Sequence, residues 1–336
     1  MSTKEPLLNI CIPYKNASEF FKEAIMSICN QDYKNWMIYI LNDGSKQEEA
    51  QKMRDILSEC TSKYKIISDR DIGIYNARLR LMESIKCGYI MFLDADDRYL
   101  SRDVFSQIVK CIASRDPDVL IYDYSLKENA VKPVLSGVAK LKGIEEIRKE
   151  FLITNRLNSL WNKVFKSDLV RDINFNPDNN YMIGEDRLIN TRILDKATKI
   201  VFLNQACYFY RQQSTSISHS YLDDKRIKGQ INIESIVENT NMAKKCREYD
   251  KDRYILENII YPHVWYCFIA LNSFEERLKM YKIINSIIHQ NKLNIKNTKT
   301  IRVHRRMSLY LLNKGLYKKL DILLKSIQLI KGINHE

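Results

Sequence analysis

The sequence predicts an α/β fold, in which a mostly parallel, Rossmann-like sheet flanked by helices is followed by a mainly helical C-terminal region. Short apolar runs alternate with stretches of helical periodicity over the first hundred residues, as in successive βαβ units. The run 89–93 is apolar throughout, which is typical of a strand buried on both faces at the centre of a parallel sheet. From about residue 221 long helical periodicities dominate, and proline occurs only at Pro262.

The predicted elements follow one another along the chain. The first strand, 8–12, ends at Pro13, and the helix after it, 17–30, has apolar residues at helical spacing. Further strands are predicted at 36–41, 64–67, 89–93 and 119–124, and further helices at 48–62 and 74–86. The middle of the chain is predicted to contain helices at 144–155 and 187–196 and extended segments at 160–165 and 199–211.

These patterns divide the chain into two predicted domains, an α/β domain over 1–220 and a basic helical region over 221–336. The net charge is +13, and residues 251–336 hold 16 Lys and Arg against 6 Asp and Glu. A basic face of this kind attracts nucleic acid, anionic lipid headgroups or phosphorylated substrates, or is simply a solvated surface.

No targeting or membrane-spanning segment is predicted. No stretch approaches the ~20 consecutive apolar residues of a transmembrane helix, and residues 1–6 lack the apolar core of a signal peptide. We therefore expect the chain in the cytoplasm. The 8 cysteines include no C-x-x-C pair and several lie inside apolar runs, which favours buried free thiols over disulfides or zinc ligands.

Three carboxylates, those of Asp94, Asp96 and Asp97, directly follow the apolar strand 89–93. Open α/β sheets bind ligands at the carboxyl ends of their strands. Negative charges packed this closely need a compensating cation or hydrogen-bond donors, and hard oxygen ligands favour Mg²⁺ or Mn²⁺. The alternative is an acidic turn that caps the helix beginning after Asp103.

Further candidate residues lie where other strands end or helices begin. Asp43 closes the second strand in a turn that is also common in ordinary loops. Gly73 permits a tight entry into a helix, and Arg78 lies one turn later, within reach of a phosphate or a carboxylate. Glu185 and Asp186 open another helix, where its dipole favours acids. Such a set suits a nucleotide-diphosphate substrate, with Asp186 as a general base.

The order of these motifs resembles family 2 glycosyltransferases, which are inverting enzymes of the GT-A fold that use nucleotide-activated sugars. The resemblance covers roughly residues 7–220 and is greatest to bacterial members that build capsule, O-antigen or other cell-surface glycans. It is carried by Ile12-Pro13-Tyr14-Lys15-Asn16, Asn42-Asp43-Gly44-Ser45, Gly73-Ile74-Tyr75-Asn76-Ala77, Asp94-Ala95-Asp96-Asp97, Trp161-Asn162-Lys163-Val164-Phe165 and Gly184-Glu185-Asp186.

The resemblance implies a UDP-sugar donor, a glycan or polyprenyl-diphosphate-linked acceptor, and transfer of a hexosyl or N-acetylhexosaminyl group. Asp43 would read uracil, Asp186 with Glu185 beside it would be the base, and Asp96 would hold Mn²⁺ or Mg²⁺. The predicted nucleotide-sugar site comprises Pro13, Tyr14, Asn16, Asp43, Gly73, Arg78, Asp94, Ala95, Asp96, Lys163 and Arg211, and the predicted metal ligands are Asp96, Asp94 and His219.

The chain departs from the family pattern at two places. Lys15 stands where an aromatic residue usually precedes the asparagine, so that Tyr14 is displaced by one position. Asn42 replaces the first acid of a common Asp-Asp pair at the end of the second strand. Neither change touches the predicted metal-binding or base positions.

Other functions fit less well. A sugar-nucleotide pyrophosphorylase would need a Gly-rich phosphate loop after the first strand, which residues 12–16 lack. Nucleic acid is not expected as a partner, because the acids after strand 89–93 would repel it. A catalytically inactive scaffold of the same fold remains the alternative, and a homo-oligomer is compatible with the sequence. The basic amphipathic stretch 302–331 fits either an anionic membrane surface or a helical bundle with a solvated face.

Overall fold

A computed structural model describes residues 5–128, 131–141, 143–176, 184–212, 224–295 and 302–333. The chain divides into two compact units, of which the first holds Met1–Phe151 and Arg156–Gln213. The second holds Leu152–Asn155 and Ser214–Glu336. The predicted boundary near residue 220 lies outside the described residues and stays a prediction.

One sheet of eight strands forms the first unit, in the order β3-β2-β1-β4-β7-β6-β8-β5. Strands β3, β2, β1 and β4 are parallel, and β6 is parallel to β8. Strand β7 runs antiparallel to β4 and β6, and β5 runs antiparallel to β8. The strands are β1 (Leu8–Tyr14), β2 (Trp36–Asp43), β3 (Tyr64–Asp69), β4 (Tyr89–Phe92), β5 (Arg98–Tyr99), β6 (Val119–Ser125), β7 (Lys163–Lys166) and β8 (Ile200–Phe209).

Helices flank this sheet, and several of them pack an apolar face against its strands. In α1 the buried residues Phe21, Ala24, Ile25 and Ile28 recur at the spacing of one helix face. The helices of the first half are α1 (Ser18–Cys29), α2 (Gln47–Cys60), α3 (Ile74–Glu83), α4 (Val104–Arg115), α5 (Ile144–Ile153), α6 (Ser167–Arg171) and α7 (Glu185–Lys196), with a 3₁₀ turn at Val138–Lys140. The predicted fold class is confirmed, including the central strand β4, whose four residues are all buried.

The second unit is helical and has its own apolar core. Its elements are α8 (Asp224–Glu238), α9 (Asn241–Lys245), α10 (Lys251–Ile255), a π-helical turn at Leu256–Ile260, α11 (Tyr261–Ala270), α12 (Phe274–Gln290), α13 (Val303–Asn313) and α14 (Tyr317–Ile333). Helix α12 begins with a capping box between Ser273 and Glu276. Among the described helices, none has both the length and the apolar character needed to span a bilayer.

The strand order fixes where a ligand binds in the first unit. The chain builds β2 and β3 on one side of β1 and then crosses to place β4 on the other side. The carboxyl ends of β1 and β4 therefore diverge into loops on opposite sides, which leaves a crevice at this switch point. The loops after β1, β2 and β4 meet along this edge of the sheet.

Candidate active site

One buried arginine joins carboxylates from two distant parts of the chain. Arg78, on α3, is 5% exposed. Its guanidinium donates to Glu185 Oε1 at 2.7 Å, to Asp94 Oδ1 at 3.3 Å, and to Asp186 Oδ1. The residues after β4 and the first turn of α7 thus share a single cation. Sequence reasoning expected Arg78 to reach a phosphate or a carboxylate, and in the structure its partners are carboxylates.

The two acids of α7 have raised proton affinities. Burial raises the pKa of Glu185 to about 7, although the charge of Arg78 opposes this rise. Burial also raises the pKa of Asp186, again against the effect of Arg78. Asp186 Oδ2 further accepts a hydrogen bond from Leu160 N at 3.2 Å. A carboxylate that is held by both oxygens and whose pKa is raised by burial is suited to general base catalysis.

Lys163 supports the turn that carries Leu160. Its side chain is fully buried, and Nζ donates to Leu157 O at 2.7 Å, to Ser159 O at 2.5 Å and to Asn162 Oδ1 at 2.9 Å. Burial lowers the pKa of Lys163 to about 7. The predicted contact of Lys163 with a diphosphate does not fit this placement, because the side chain has no exposed surface and its three ammonium protons already have acceptors.

The acids that follow β4 are short of positive charge. Burial, reinforced by the charge of Asp94, raises the pKa of Asp96 to about 6. Burial and the charges of Asp94 and Asp96 raise the pKa of Asp97 to about 8. Asp94 reaches Arg78, whereas no ion pair within the described ranges involves Asp96 or Asp97. A cation bound here would relieve this repulsion.

The donor set fits Mn²⁺ or Mg²⁺ as an open site. Carboxylate oxygens are the hard ligands that these ions prefer. Where side chains are described, no group of three His, Cys, Asp or Glu residues is arranged to hold a metal by itself. The fit is therefore to an ion held by one or two carboxylates, with substrate phosphates and water as its other ligands. The predicted ligand His219 lies outside the described residues.

Asp43 holds the entry of α3. It is 5% exposed, and its carboxylate accepts hydrogen bonds from Ile72 N at 2.6 Å and Gly73 N at 3.1 Å. Gly73 has φ of +81°, a backbone conformation that favours glycine. At Gly44, where φ is +70°, the Cβ of any other residue would lie 2.9 Å from the backbone nitrogen of Asp71. The turns after β2 and before α3 are therefore packed together with Asp43 between them.

The loop after β1 differs from its prediction at Tyr14. This side chain is 1% exposed, its hydroxyl donates to Glu49 O at 3.1 Å, and its ring lies edge-on to Phe21. A ring buried in this way is not available to stack on a base. Pro13 is partly buried beside it. Asn16 faces the turn after β2, since its Oδ1 accepts from Lys46 N at 2.9 Å.

Arg211 holds the acidic turn after β4 by hydrogen bonds to two of its residues. Its backbone N donates to Asp97 Oδ1 at 2.8 Å and its Nε donates to Asp96 O at 2.9 Å. The guanidinium also pairs with Glu23 Oε2 at 2.6 Å and lies over the ring of Phe20. In the structure the partners of Arg211 are groups of the protein, and its contact with a donor phosphate stays a prediction. Ala95, between the two acids, is 5% exposed.

Sequence reasoning did not identify an aromatic cluster beside these acids. Trp161 stacks on Tyr208 at a centroid distance of 4.6 Å and on Tyr210 at 5.4 Å. The Tyr208 hydroxyl accepts from Asp94 N at 3.1 Å and donates to Asp97 Oδ2 at 2.8 Å. The cluster therefore fixes β8 against the turn after β4. The available signal was the Phe- and Tyr-rich composition of 199–211.

Comparisons with known proteins agree with the sheet and the order of the motifs. Residues 9–160 match the family model described as glycosyl transferase family 2. Glycosyltransferase GlyA of Streptococcus pneumoniae serotype 4 is 23% identical over 229 residues, which are 64% of this chain and 32% of that relative. The chain thus spans about a third of the length of that relative.

Two further proteins resemble a larger part of the chain. The GalNAc(5)-diNAcBac-PP-undecaprenol beta-1,3-glucosyltransferase of Campylobacter jejuni is 23% identical over 252 residues, which are 73% of this chain and 79% of that protein. The crystal structure of S. aureus TarS 1-349 in complex with UDP-GlcNAc matches the fold with a TM-score of 0.68 at 16% identity, covering 96% of this chain and 91% of that one. The family match over residues 9–160 and the GT-A-like fold support a family 2 glycosyltransferase.

Proposed function

We propose that the protein is an inverting glycosyltransferase that moves a hexosyl or N-acetylhexosaminyl group from a UDP-sugar to a hydroxyl of a glycan or lipid-linked acceptor in bacterial surface polysaccharide synthesis. The observation that carries this proposal is the joint pairing of Asp94 and Asp186 with Arg78 at the switch point of the sheet. This pairing links the residues assigned to the donor with the residue assigned to the acceptor proton.

The donor half of the proposal rests on the loops after β2 and β4. Asp43 would accept a hydrogen bond from uracil through the lone pairs that Ile72 and Gly73 leave unused. Asp94 would contact the nucleotide beside it. Support for a UDP-sugar comes from the family match over residues 9–160 and from a fold neighbour, S. aureus TarS, whose crystal structure contains UDP-GlcNAc.

The acceptor half rests on Asp186. In inverting transfer the acceptor oxygen attacks the anomeric carbon while the bond from that carbon to the diphosphate breaks, and the electron pair leaves with UDP. Asp186 would take the acceptor proton as the new bond forms. Arg78 and the Leu160 N–H hold this carboxylate from two sides, so its orientation is set before the substrate arrives.

Asp96, with Asp94 beside it, would hold Mn²⁺ or Mg²⁺ in this proposal. Such an ion offsets negative charge on a departing diphosphate. The raised pKa of Asp96 supports the assignment, because it reflects a buried carboxylate close to another acid. A lipid-linked acceptor is supported by the Campylobacter relative, whose name includes an undecaprenol diphosphate carrier.

Release of UDP tests the proposal directly. The purified protein is incubated with a panel of UDP-sugars in Mn²⁺, with and without glycan or lipid-linked acceptors, and UDP is quantified. We expect one donor to give acceptor-dependent UDP release, which Asp186→Asn abolishes. UDP binding without turnover on any donor and acceptor would instead favour a catalytically inactive scaffold of this fold.

A further inference from the structure

Helices α13 and α14 of the second unit expose apolar side chains on the faces opposite to their buried ones. On α13, Val303 is 71% exposed, Met307 53% and Tyr310 51%, while Leu309 and Leu312 are buried. The three exposed residues follow the i, i+4, i+7 spacing of one helix face. They therefore form a stripe that the core of the unit does not use.

Helix α14 repeats this arrangement. Ile322 is 67% exposed and Leu329 63%, and they lie seven positions apart on one face. Leu320, Leu324 and Ile327 fill the core on the opposite face. The two helices pack against each other and both contact α11 and α12. Their outward faces thus lie side by side, and the two helices hold 6 of the 12 large apolar residues that are exposed within the described ranges.

The two helices that carry these faces are basic, and they have no exposed acid within residues 302–333. Asp321 is the one acid of residues 302–333, and it is occupied by Arg277 in a two-bond pair of 2.8 Å each. No ion pair within the described ranges neutralises the exposed cations of α13, α14 and the residues next to them. These cations are Arg302, Arg306, Lys314, Lys318, Lys319 and Lys325.

The combination of exposed apolar side chains and cations on α13 and α14 favours one kind of partner over others. A second copy of the chain would bring the same cations against each other, which costs affinity. Nucleic acid would pair with the cations but would leave Ile322 and Leu329 exposed. An anionic bilayer satisfies both, because apolar side chains enter the headgroup–acyl boundary while Lys and Arg reach the phosphates.

We propose that the outward face of α13 and α14, here called the α13–α14 face, docks the protein on an anionic lipid bilayer. This surface deepens the proposed function, and its relevance to catalysis rests on that function, because a lipid-linked acceptor would lie in the same bilayer. Binding itself depends only on the exposed apolar stripes and on cations that each contribute roughly fivefold to affinity near an anionic surface.

Vesicle flotation of the full chain tests this docking. Vesicles of phosphatidylcholine alone are compared with vesicles that also contain phosphatidylglycerol, at low and high salt. We expect flotation with the anionic vesicles only, and a smaller bound fraction at high salt. Ile322→Glu with Leu329→Glu should lower the partition coefficient at least about tenfold, since it removes apolar contacts and adds repulsion.

Exposed residues of the first unit provide the control. Val131 is 52% exposed and Val134 37%, so Val131→Glu with Val134→Glu makes the same change elsewhere, with two acids in place of two apolar residues. The control should float like the unsubstituted chain, and all variants should keep its thermal midpoint. Equal flotation of the α13–α14 variant and the unsubstituted chain would overturn the proposal. So would light scattering that shows a dimer in solution which the same substitutions dissociate.

The outcome is separable from that of the proposed function. UDP release with a water-soluble acceptor is measured on the same preparations without lipid. Flotation without any UDP release would leave docking intact and count against the transferase assignment. If UDP release is equal in both variants and the unsubstituted chain does not float, the transferase assignment stands and the docking proposal is overturned.

Discussion

The two groups of acids at the candidate site have different counter-charges. Glu185 and Asp186 at the start of α7 take the shorter bonds of Arg78, whereas Asp94 after β4 is 3.3 Å from the same guanidinium. Its neighbours Asp96 and Asp97 are in no ion pair within the described ranges. The α7 acids are thus partly neutralised by the protein, whereas among the β4 acids only Asp94 has an ion-pair partner within the described ranges.

This difference indicates separate roles for the two groups. The charge of Arg78 opposes the rise in pKa that burial causes in both α7 acids, and so favours the carboxylate form that a base needs. Acids that repel one another and have no cation beside them instead provide a place where a metal ion can bind together with the substrate. Four substitutions test this division, in order of decreasing expected effect.

Asp186→Asn should cause the largest loss. The amide keeps the shape of the side chain but cannot accept the acceptor proton, so kcat should fall by about 10²–10⁴-fold. Affinity for UDP, measured by calorimetry, should stay close to that of the unsubstituted protein. Glu185→Gln is the matched control on the same helix turn, and a smaller loss is expected. A larger loss of kcat in Glu185→Gln than in Asp186→Asn would assign the role of base to Glu185.

Asp96→Asn should weaken the dependence of UDP binding on Mn²⁺. Residues that only orient a metal ligand typically contribute 10–100-fold to metal affinity, so we expect at least about a tenfold loss for a ligand itself. Calorimetric titration of UDP with and without Mn²⁺ measures the effect. Asp97→Asn is the control, because that buried carboxylate is already bonded to Tyr208 and to the Arg211 N–H. Unchanged binding in Asp96→Asn would remove the metal role.

The comparison also separates what sequence could predict from what it could not. Apolar runs and helical spacing are local, so strands such as 36–41 and helices such as 187–196 are predicted within a few residues of β2 and α7. Because parallel strands end on the same edge, the gathering of Asp43 and Asp94 at one edge followed from the same patterns.

Contacts between distant segments were beyond such patterns. Arg78 and Glu185 are 107 positions apart, and no periodicity links a helix face to the start of another helix. Lys163 was placed in the predicted nucleotide-sugar site, although its side chain is fully buried in β7, an antiparallel strand between β4 and β6. Tyr14 was also placed in the predicted nucleotide-sugar site, although packing against Phe21 buries it. In each case tertiary burial decided the role of a side chain that its local sequence left open.

Arg78→Gln should move the pH dependence of turnover. The Arg78 charge lowers the pKa of both Glu185 and Asp186, against the larger effect of burial. Without it both acids bind protons more tightly, so activity should be lost at a higher pH as the solution is acidified. We expect the acidic limb of the kcat profile to rise by about 1–3 pH units, the effect that a neighbouring arginine commonly has on an aspartate.

A second arginine of α3 serves as control for that shift. Arg80 pairs with Asp69 at 3.4 Å near the surface and contacts none of the site acids. Arg80→Gln should leave the pH profile unchanged. If Arg78→Gln lowers turnover equally at every pH, the guanidinium acts on the donor rather than on the base, and the division between the two acid groups fails at that residue.

Lys163→Met should have the smallest effect on turnover and a measurable effect on stability. The substitution leaves the carbonyls of Leu157 and Ser159 without the donor they have in the structure, and it also removes a buried charge. The net loss should be about 1–3 kcal/mol in the free energy of unfolding, measured with urea. Because the same turn carries the Leu160 N–H that holds Asp186, kcat should fall a few-fold while KM for the UDP-sugar is kept.

Lys166→Met on the same strand is the matched control for Lys163. Lys166 is one-third exposed and pairs with Asp116, so its loss should cost less than about 1 kcal/mol and leave kcat unchanged. The opposite pattern in Lys163→Met, a raised KM with unchanged stability, would mean that its ammonium group reaches the donor diphosphate. The turn around Leu160 would then have to open during the reaction, and the base would be held by Arg78 alone in that state.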